Sequence, residues 1–505
     1  MFEVPNLADY NIMATLPVMV LALSTCILLL VDLFIPTERK HLTALLAAIA
    51  LGVTLVLAVL PLFDLVEYGD GPLAFEGTFV ADEFSNMVNA AVLITALLGV
   101  MVAPNYLERS ALQRGEYYSL LLLTTVGVMF MGAAGDLVVV FISLELLSIP
   151  LYILSGFRRG SAASEESAMK YFLLGAFSSS FLVYGIALIY GATGTTNLQA
   201  IWQTIDALAG QETSARYLLM AGGSMVLVGL GFKVAAVPFH MWTPDVYQGA
   251  PTSVVAYMSV AAKIGGFAGL LRVLVAGMPN FVLDGAEVAA WQDTVWILAA
   301  LTMILGNIIA IVQSDLKRLL AYSSIAHAGY ILIALAAGGR AGYGDDAARA
   351  ALIYLMAYVF TNFGAFAVVI AVEGNDPTHT GLGRVRGLGK THPMLALAMT
   401  VFMLSLVGIP LTAGFIGKWF VFQVAVAAGL TPLAIIGVIT SLISAFYYLR
   451  VVWLMYFEEG EGEASMPRTL AWAIGISALG TLLFGVLPYL LSDMAREVSL
   501  AFGGG

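Results

Sequence analysis

Seven lysines occur in the 505-residue chain, and four of them, Lys170, Lys233, Lys263 and Lys418, fall inside apolar runs. One carboxylate is placed in the same way, Glu145 within Phe141-Ile142-Ser143-Leu144-Glu145-Leu146-Leu147. A charged side chain near the centre of a bilayer costs roughly 2.5–3.5 kcal/mol on insertion scales, so those retained there are candidates for ion or proton pathways. The chemistry such a set offers is proton transfer. Desolvation weakens an ammonium's hold on its proton and a neighbouring carboxylate strengthens it, so a change in the carboxylate's influence loads or unloads the amine. The competing reading is a static ion pair that only fixes helix packing.

The four lysines are not equivalent. Lys170 lies a few residues inside its run and close to Glu165 and Glu166, so it either snorkels to the surface or is a second partner for Glu145. Lys263 has no acid near it in sequence. Of the five histidines, His240 follows Lys233 by seven residues and either relays protons between the lysine and water or caps the helix end. His327, in Ser323-Ser324-Ile325-Ala326-His327, is either a polar link between two halves of the molecule or a hydrogen-bonded core histidine. The remaining three, His41, His379 and His392, are scattered, with no i, i+4 pair for a helical metal site. The lone Cys26 excludes a disulfide framework, iron–sulfur ligation and a cysteine zinc site within this chain. Gly381-Leu382-Gly383-Arg384-Val385-Arg386-Gly387 has the wrong spacing for a dinucleotide fingerprint and reads as a basic loop.

The elements that must position these groups are membrane helices. With 60% hydrophobic and 11% charged residues, the chain lies far from soluble composition and reads as an all-α polytopic membrane protein. Apolar runs predict fourteen spans, centred near residues 23, 52, 93, 124, 146, 180, 230, 264, 303, 328, 360, 411, 443 and 480. The net charge of −11 sits in loops and suggests no nucleic-acid partner. No basic residue accompanies Glu3 and Asp9 before the first apolar run, which is too long for a signal-peptide core and is expected to be retained. Neither an Arg-rich presequence nor a lipidation motif is present, which points to a bacterial inner membrane.

One set of alternate loops carries thirteen basic residues, from Arg39 and Lys40 through Lys317 and Arg318 to Arg468. The opposite set carries five, Arg216, Arg272, Arg340, Arg349 and Arg496, so the first set is expected to be cytoplasmic and both termini periplasmic. Between His392 and Thr431 about 38 residues would make a helix of roughly 57 Å against a hydrocarbon core of about 30 Å, so this span must break. Gly408, Pro410, Gly414 and Gly417 mark the place. Gly229, Gly231 and Pro238 bracket Lys233 in the same manner. Two interrupted spans, each with a lysine, predict paired broken helices in two related five-helix units, spans 4–8 and 9–13, inverted because each has an odd number of helices. The expected division is 1–110, an N-terminal three-helix segment; 111–275 and 290–458, the two repeats; and 466–505, a C-terminal helix and tail. Counted from the cytoplasmic ends at 1.5 Å per residue, Glu145, Lys233 and Lys263 reach depths that agree within roughly 5 Å.

The stretch Gly231-Phe232-Lys233-Val234-Ala235-Ala236-Val237-Pro238-Phe239-His240-Met241-Trp242-Thr243-Pro244-Asp245-Val246-Tyr247-Gln248-Gly249-Ala250-Pro251-Thr252 closely resembles the signature of the antiporter-like subunits of respiratory complex I. Within that family the Met241 to Gly249 portion is most similar to the subunit N branch. The similarity covers the whole chain, including Lys317-Arg318-Leu319-Leu320-Ala321-Tyr322-Ser323-Ser324 and Gly414-Phe415-Ile416-Gly417-Lys418. A lysine in the twelfth span separates it from subunit M, and the length leaves no room for the long lateral helix of subunit L.

By resemblance, Glu145 matches the fifth-span glutamate, Lys233 the seventh-span lysine, Lys263 the eighth-span connecting residue and Lys418 the twelfth-span lysine, with Lys170 an additional lysine of this branch. The resemblance implies a proton-translocating membrane-arm subunit driven by quinone reduction elsewhere. FMN, iron–sulfur clusters and quinone would belong to partner subunits, leaving no cofactor in this chain. Its partners would be antiporter-like subunit M, the small subunits next to the quinone module and the lipid bilayer. The alternatives are an Mrp-type sodium/proton antiporter subunit and a scaffold subunit without its own proton path.

Overall fold

A computed structural model describes residues 10–69, 71–208, 214–279, 281, 288–374 and 380–500. Glu3, Asp9 and His379 lie outside the described residues, as do both extreme termini. The chain is helical almost throughout. In order come α1 (Leu16–Asp32), α2 (His41–Val59), a two-stranded hairpin of β1 (Leu73–Ala74) and β2 (Phe79–Val80), α3 (Glu83–Arg109), α4 (Glu116–Gly132) and α5 (Leu137–Ser155). Next are α6 (Ala162–Thr193), the short α7 (Leu198–Ala207), α8 (Ser214–Val234), α9 (Trp242–Gly249) and α10 (Thr252–Leu270), which runs on through a π turn at Leu271–Ala276. The second half holds α11 (Gln292–Ile311), α12 (Leu316–Ala337), α13 (Gly344–Glu373), the single turn α14 (Leu388–Thr391), α15 (Pro393–Val407), α16 (Ala413–Ala427), α17 (Thr431–Phe457), α18 (Arg468–Val486) and α19 (Tyr489–Met494).

Among the described residues, twelve helices are long and apolar enough to cross a membrane, and three apolar helices are shorter. The short ones are α4 and the pair α15 and α16, which flank the expected break. Helix starts follow side-chain caps. Asp82 accepts from the Ser85 amide, Asp136 from Val138, Asn197 from Ala200 and Asp315 from Arg318, satisfying amides that the first turn leaves without partners.

Burial sorts the helices into a centre and a rim. The apolar windows of α10 and α13 are entirely buried and that of α12 nearly so, whereas only 22% of the α2 window is buried. A helix that is apolar all round and buried belongs in the core. The rim helices α1, α2, α6 and α17 instead expose large apolar side chains such as Leu30, Ile49, Phe177 and Leu442, the surface a hydrocarbon phase requires. Helix α10 packs on α3, α4, α5, α8, α12 and α13, and α13 in turn packs on α16. The centre of the molecule therefore connects Lys263 on α10 to Lys418 on α16 through α13.

Both expected breaks are present, and each is turned by a non-glycine residue in the left-handed region, Ala235 (φ 62°) after α8 and Leu411 (φ 69°) between α15 and α16. Such a conformation costs on the order of 1–3 kcal/mol and persists only when surroundings impose it. Here they do. At the first break the Val237 amide donates to Thr302 Oγ1 of α11 (2.9 Å) and the Trp242 indole to the Phe232 carbonyl (3.0 Å). At the second, the Gly414 amide donates to Ser405 Oγ (3.0 Å). Gly414 is required there, because a Cβ would lie 1.9 Å from the Ser405 carbonyl oxygen.

Candidate functional site

Glu145 sits in the middle of α5, half-buried, and its Oε1 accepts a hydrogen bond from Ser179 Oγ of α6 at 2.5 Å. It makes no ion pair with Lys233 within 4.0 Å, although the two are in electrostatic reach. Tyr152, two turns farther along the same face of α5, stands on the lysine side.

Lys233 is the penultimate residue of α8 and is buried. Its ammonium lies 5.0 Å from the Tyr171 ring centroid, 5.3 Å from Tyr152 and 5.9 Å from Phe232, with the Tyr171 hydroxyl 3.4 Å from Nζ. Three ring faces provide cation–π stabilisation without a counter-charge, so the proton can leave without abandoning an ion-pair partner.

Lys263 donates from Nζ to the Val234 carbonyl (3.0 Å), the last residue of α8. The break frees that carbonyl, and its negative helix end attracts a cation. Gly266, one turn on, permits the approach, since a Cβ there would meet Val234 Cγ1 at 2.6 Å. Lys263 and Lys233 therefore meet the same helix end from two sides.

Lys418 repeats this arrangement with a difference. It donates to the carbonyls of Leu406 (3.0 Å) and Val407 (2.7 Å) at the end of α15 and to Ser441 Oγ of α17 (2.7 Å), with its ammonium 4.7 Å from the Tyr330 ring. Lys233 precedes its break, whereas Lys418 follows its own. The geometric counterpart of Lys418 is thus Lys263, each capping the C-terminus of an interrupted helix.

His327 of α12 is buried, with Nδ1 2.6 Å from Tyr354 Oη and Nε2 3.1 Å from Tyr448 Oη. Both Lys263 and Lys418 are within its electrostatic reach. A neutral imidazole donates through one nitrogen and accepts through the other, so it can carry a proton between two hydroxyls.

Two expected residues are placed elsewhere. Lys170 is 41% exposed and pairs with Asp245 and Glu166, each at 2.7 Å, instead of turning toward Glu145. Its long stem reaches toward the helix end, where Glu166 is exposed and Asp245 partly so. Arg318 also binds Asp245 (2.8 Å). Partial burial raises the Asp245 carboxyl, and the Lys170 and Arg318 hydrogen bonds outweigh it, leaving its pKa below the ordinary carboxylate value. His240 is half-buried in the turn between α8 and α9, and no hydrogen bond joins it to any of the four lysines.

Sequence reasoning passed over a second set of buried charges. Arg272, read as an outer-loop residue, is fully buried in the π turn and bound to Asp82. Glu373, the last residue of α13, is buried, accepts from Arg109 of α3 (3.0 Å) and from the Thr252 hydroxyl at the start of α10. Lys317, read as a loop cation, is buried and donates to the Ala250 carbonyl (2.8 Å). Their partners lie 67 to 264 positions away, and no local pattern signals such pairs. Cys26 is exposed on α1, and among the described residues no three His, Cys, Asp or Glu side chains gather to hold a metal ion.

Interrupted helices whose freed ends meet buried lysines define an antiporter-like membrane protein. Residues 134–444 match the family described as NADH:quinone oxidoreductase/Mrp antiporter, transmembrane. The chain is 44% identical to NADH-quinone oxidoreductase subunit N of Trichlorobacter lovleyi over 96% of each chain, and 40% identical to subunit N of Rhodospirillum rubrum over 96% of each. Respiratory complex I from Thermus thermophilus contains a chain of the same fold, with TM-score 0.79 and 34% identity, covering 97% of this chain and all of that one. A chain of the Mrp complex from a Dietzia species shares the fold, with TM-score 0.77 at 22% identity, over 97% and 96% of the two chains. The chain belongs to the subunit N family of NADH-quinone oxidoreductases, within the NADH:quinone oxidoreductase/Mrp antiporter membrane family.

Proposed function

We propose that the chain moves protons across a bacterial inner membrane as a membrane-arm subunit of NADH-quinone oxidoreductase, through Glu145, Lys233, Lys263 and Lys418. Lys233 is loaded from the cytoplasmic side, and Glu145 tunes its proton affinity. The proton passes to Lys263 around the shared end of α8, crosses the His327, Tyr354 and Tyr448 hydroxyl and imidazole groups, and reaches Lys418, from which it leaves outward. Quinone reduction in partner subunits, which carry the FMN, iron–sulfur clusters and quinone, supplies the energy. Subunit M and the small subunits beside the quinone module are the neighbours. Both termini face the periplasm, and spans 4–8 and 9–13 form the inverted repeats.

The observation that carries this reading is the Lys263 hydrogen bond to Val234, which brings the connecting lysine to the residue next to Lys233. In membranes containing the assembled complex, Lys233→Ala or Glu145→Ala is expected to abolish NADH-driven proton pumping by this subunit. Unchanged pumping in an assembled variant contradicts the reading and favours a scaffold. A dependence of transport on sodium would instead favour the Mrp-type reading.

A further inference from the structure

The loading step above leaves the entrance to Lys233 unassigned. At the expected cytoplasmic end of α6, a cavity of about 230 Å³ opens between α6 and α9, lined by Ser167, Lys170, Asp245, Gly249 and the Arg158 side of the preceding loop. Ser167 lies at its inner wall, 3.4 Å from the Asp245 and Val246 carbonyls. Tyr171 is one helical turn deeper on the same face of α6. It is fully buried, its hydroxyl is 3.4 Å from Lys233 Nζ, and its ring is stacked on Trp242 (4.4 Å, 8°) and edge-on to Tyr152 (4.7 Å). Outside, Asp245 is held by Lys170 and Arg318 together, which ties α9 to α6 and to α12 across the mouth.

Resting on the assignment of Lys233 as the loaded group, we propose that protons enter through this α6–α9 mouth and that the Tyr171 hydroxyl is the last relay to Lys233, with the Lys170–Asp245–Arg318 network as the ionic gate. The transfer is a hop. Tyr171 gives its hydroxyl proton to the neutral Lys233 amine while its oxygen takes one from a hydronium ion arriving from the cytoplasmic side by way of Ser167, which is left as water, so the phenol ends neutral and the lysine ends charged. The aromatic stacking around Tyr171 fixes the ring so that only the hydroxyl takes part, and one oxygen with one proton suffices for the exchange. Opening the mouth requires Asp245 to release Lys170 or Arg318, which makes entry depend on the relative position of α9 and α12.

The test uses the assembled complex in inside-out membrane vesicles, with NADH-driven proton uptake as the readout and Lys233→Ala as reference. Tyr171→Phe keeps the stacked ring and removes only the hydroxyl. Uptake is expected to fall by at least about tenfold, as for loss of a positioned proton-transfer group, with the amount of assembled complex unchanged. A purely structural Tyr171 would tolerate Phe and fail only as Ala. Uptake at the wild-type rate in Tyr171→Phe overturns the relay. Should that variant not assemble, Ser167→Cys decides: a membrane-impermeant thiol reagent, added at the cytoplasmic face, is expected to block uptake, and unchanged uptake after modification overturns the entrance. If Lys233→Ala itself pumps normally, the underlying reading fails; if only Lys233→Ala is impaired, the entrance alone fails.

Discussion

Arg272 and Asp82 form a wholly buried bidentate pair, with guanidinium nitrogens 2.7 and 2.5 Å from the two carboxylate oxygens. Arg272 Nε also donates to the Gly132 carbonyl (2.9 Å), and the guanidinium covers the Phe84 ring at 4.6 Å. Asp82 is the N-cap of α3, and Arg109 at the other end of α3 binds Glu373, which receives the hydroxyl of Thr252 at the start of α10. Both ends of α10 are thus fastened to both ends of α3. The helix that carries Lys263 is thereby held at both ends.

Removing one partner of this pair strands the other charge in the core. Arg272→Met or Asp82→Asn is expected to destabilise the subunit by about 3–5 kcal/mol, read as loss of assembled complex or a lower temperature of irreversible inactivation. The double variant, which strands neither charge, is expected to recover part of that loss. Single variants as stable as the wild type would contradict the clamp.

Lys418 separates a titrating role from a capping role. Arg in its place can still donate to the Leu406 and Val407 carbonyls but does not release its proton. Lys418→Arg is therefore expected to assemble normally and to lose proton pumping by at least about tenfold. Retained pumping would reduce Lys418 to a helix cap.

Glu145 gives a graded test of tuning. Glu145→Gln preserves an oxygen for the Ser179 hydroxyl and removes the charge, whereas Glu145→Asp keeps the charge and draws it back. Pumping measured in vesicles is expected to fall in the order wild type, Asp, Gln. Equal rates for wild type and Gln would show that the hydrogen bond, not the charge, is what matters.

His327 bridges two tyrosine hydroxyls in the span between Lys263 and Lys418. His327→Phe leaves ring packing largely in place and removes both nitrogens. Proton uptake is expected to fall by at least about tenfold while assembly persists. If uptake is normal, His327 is a core histidine and the path runs elsewhere.

Much of the architecture is visible in the local pattern. Apolar runs locate the long helices, and Gly408 and Pro410 lie within the interruption after α15, because backbone breaks must be written where they occur. The same logic places the first break near Pro238, and α8 ends at Val234. What the pattern does not hold is long-range pairing. Lys170 and Asp245 are 75 positions apart, and Arg272 and Asp82 are 190 apart, so an arginine at the end of an apolar run reads as a loop residue until its distant partner is in place. The amphipathic α7 and the short α9, which forms one wall of the α6–α9 mouth, are also absent from a reading based on membrane-length runs.

On the proposed path, protons cross the molecule through Lys263. The direct measurement is NADH-driven proton uptake by inside-out vesicles containing the assembled complex with Lys263→Met, normalised to the amount of complex. Uptake lower than wild type by at least about tenfold is the expected result, since Met fills similar space and carries no proton. Uptake at the wild-type rate would contradict the path.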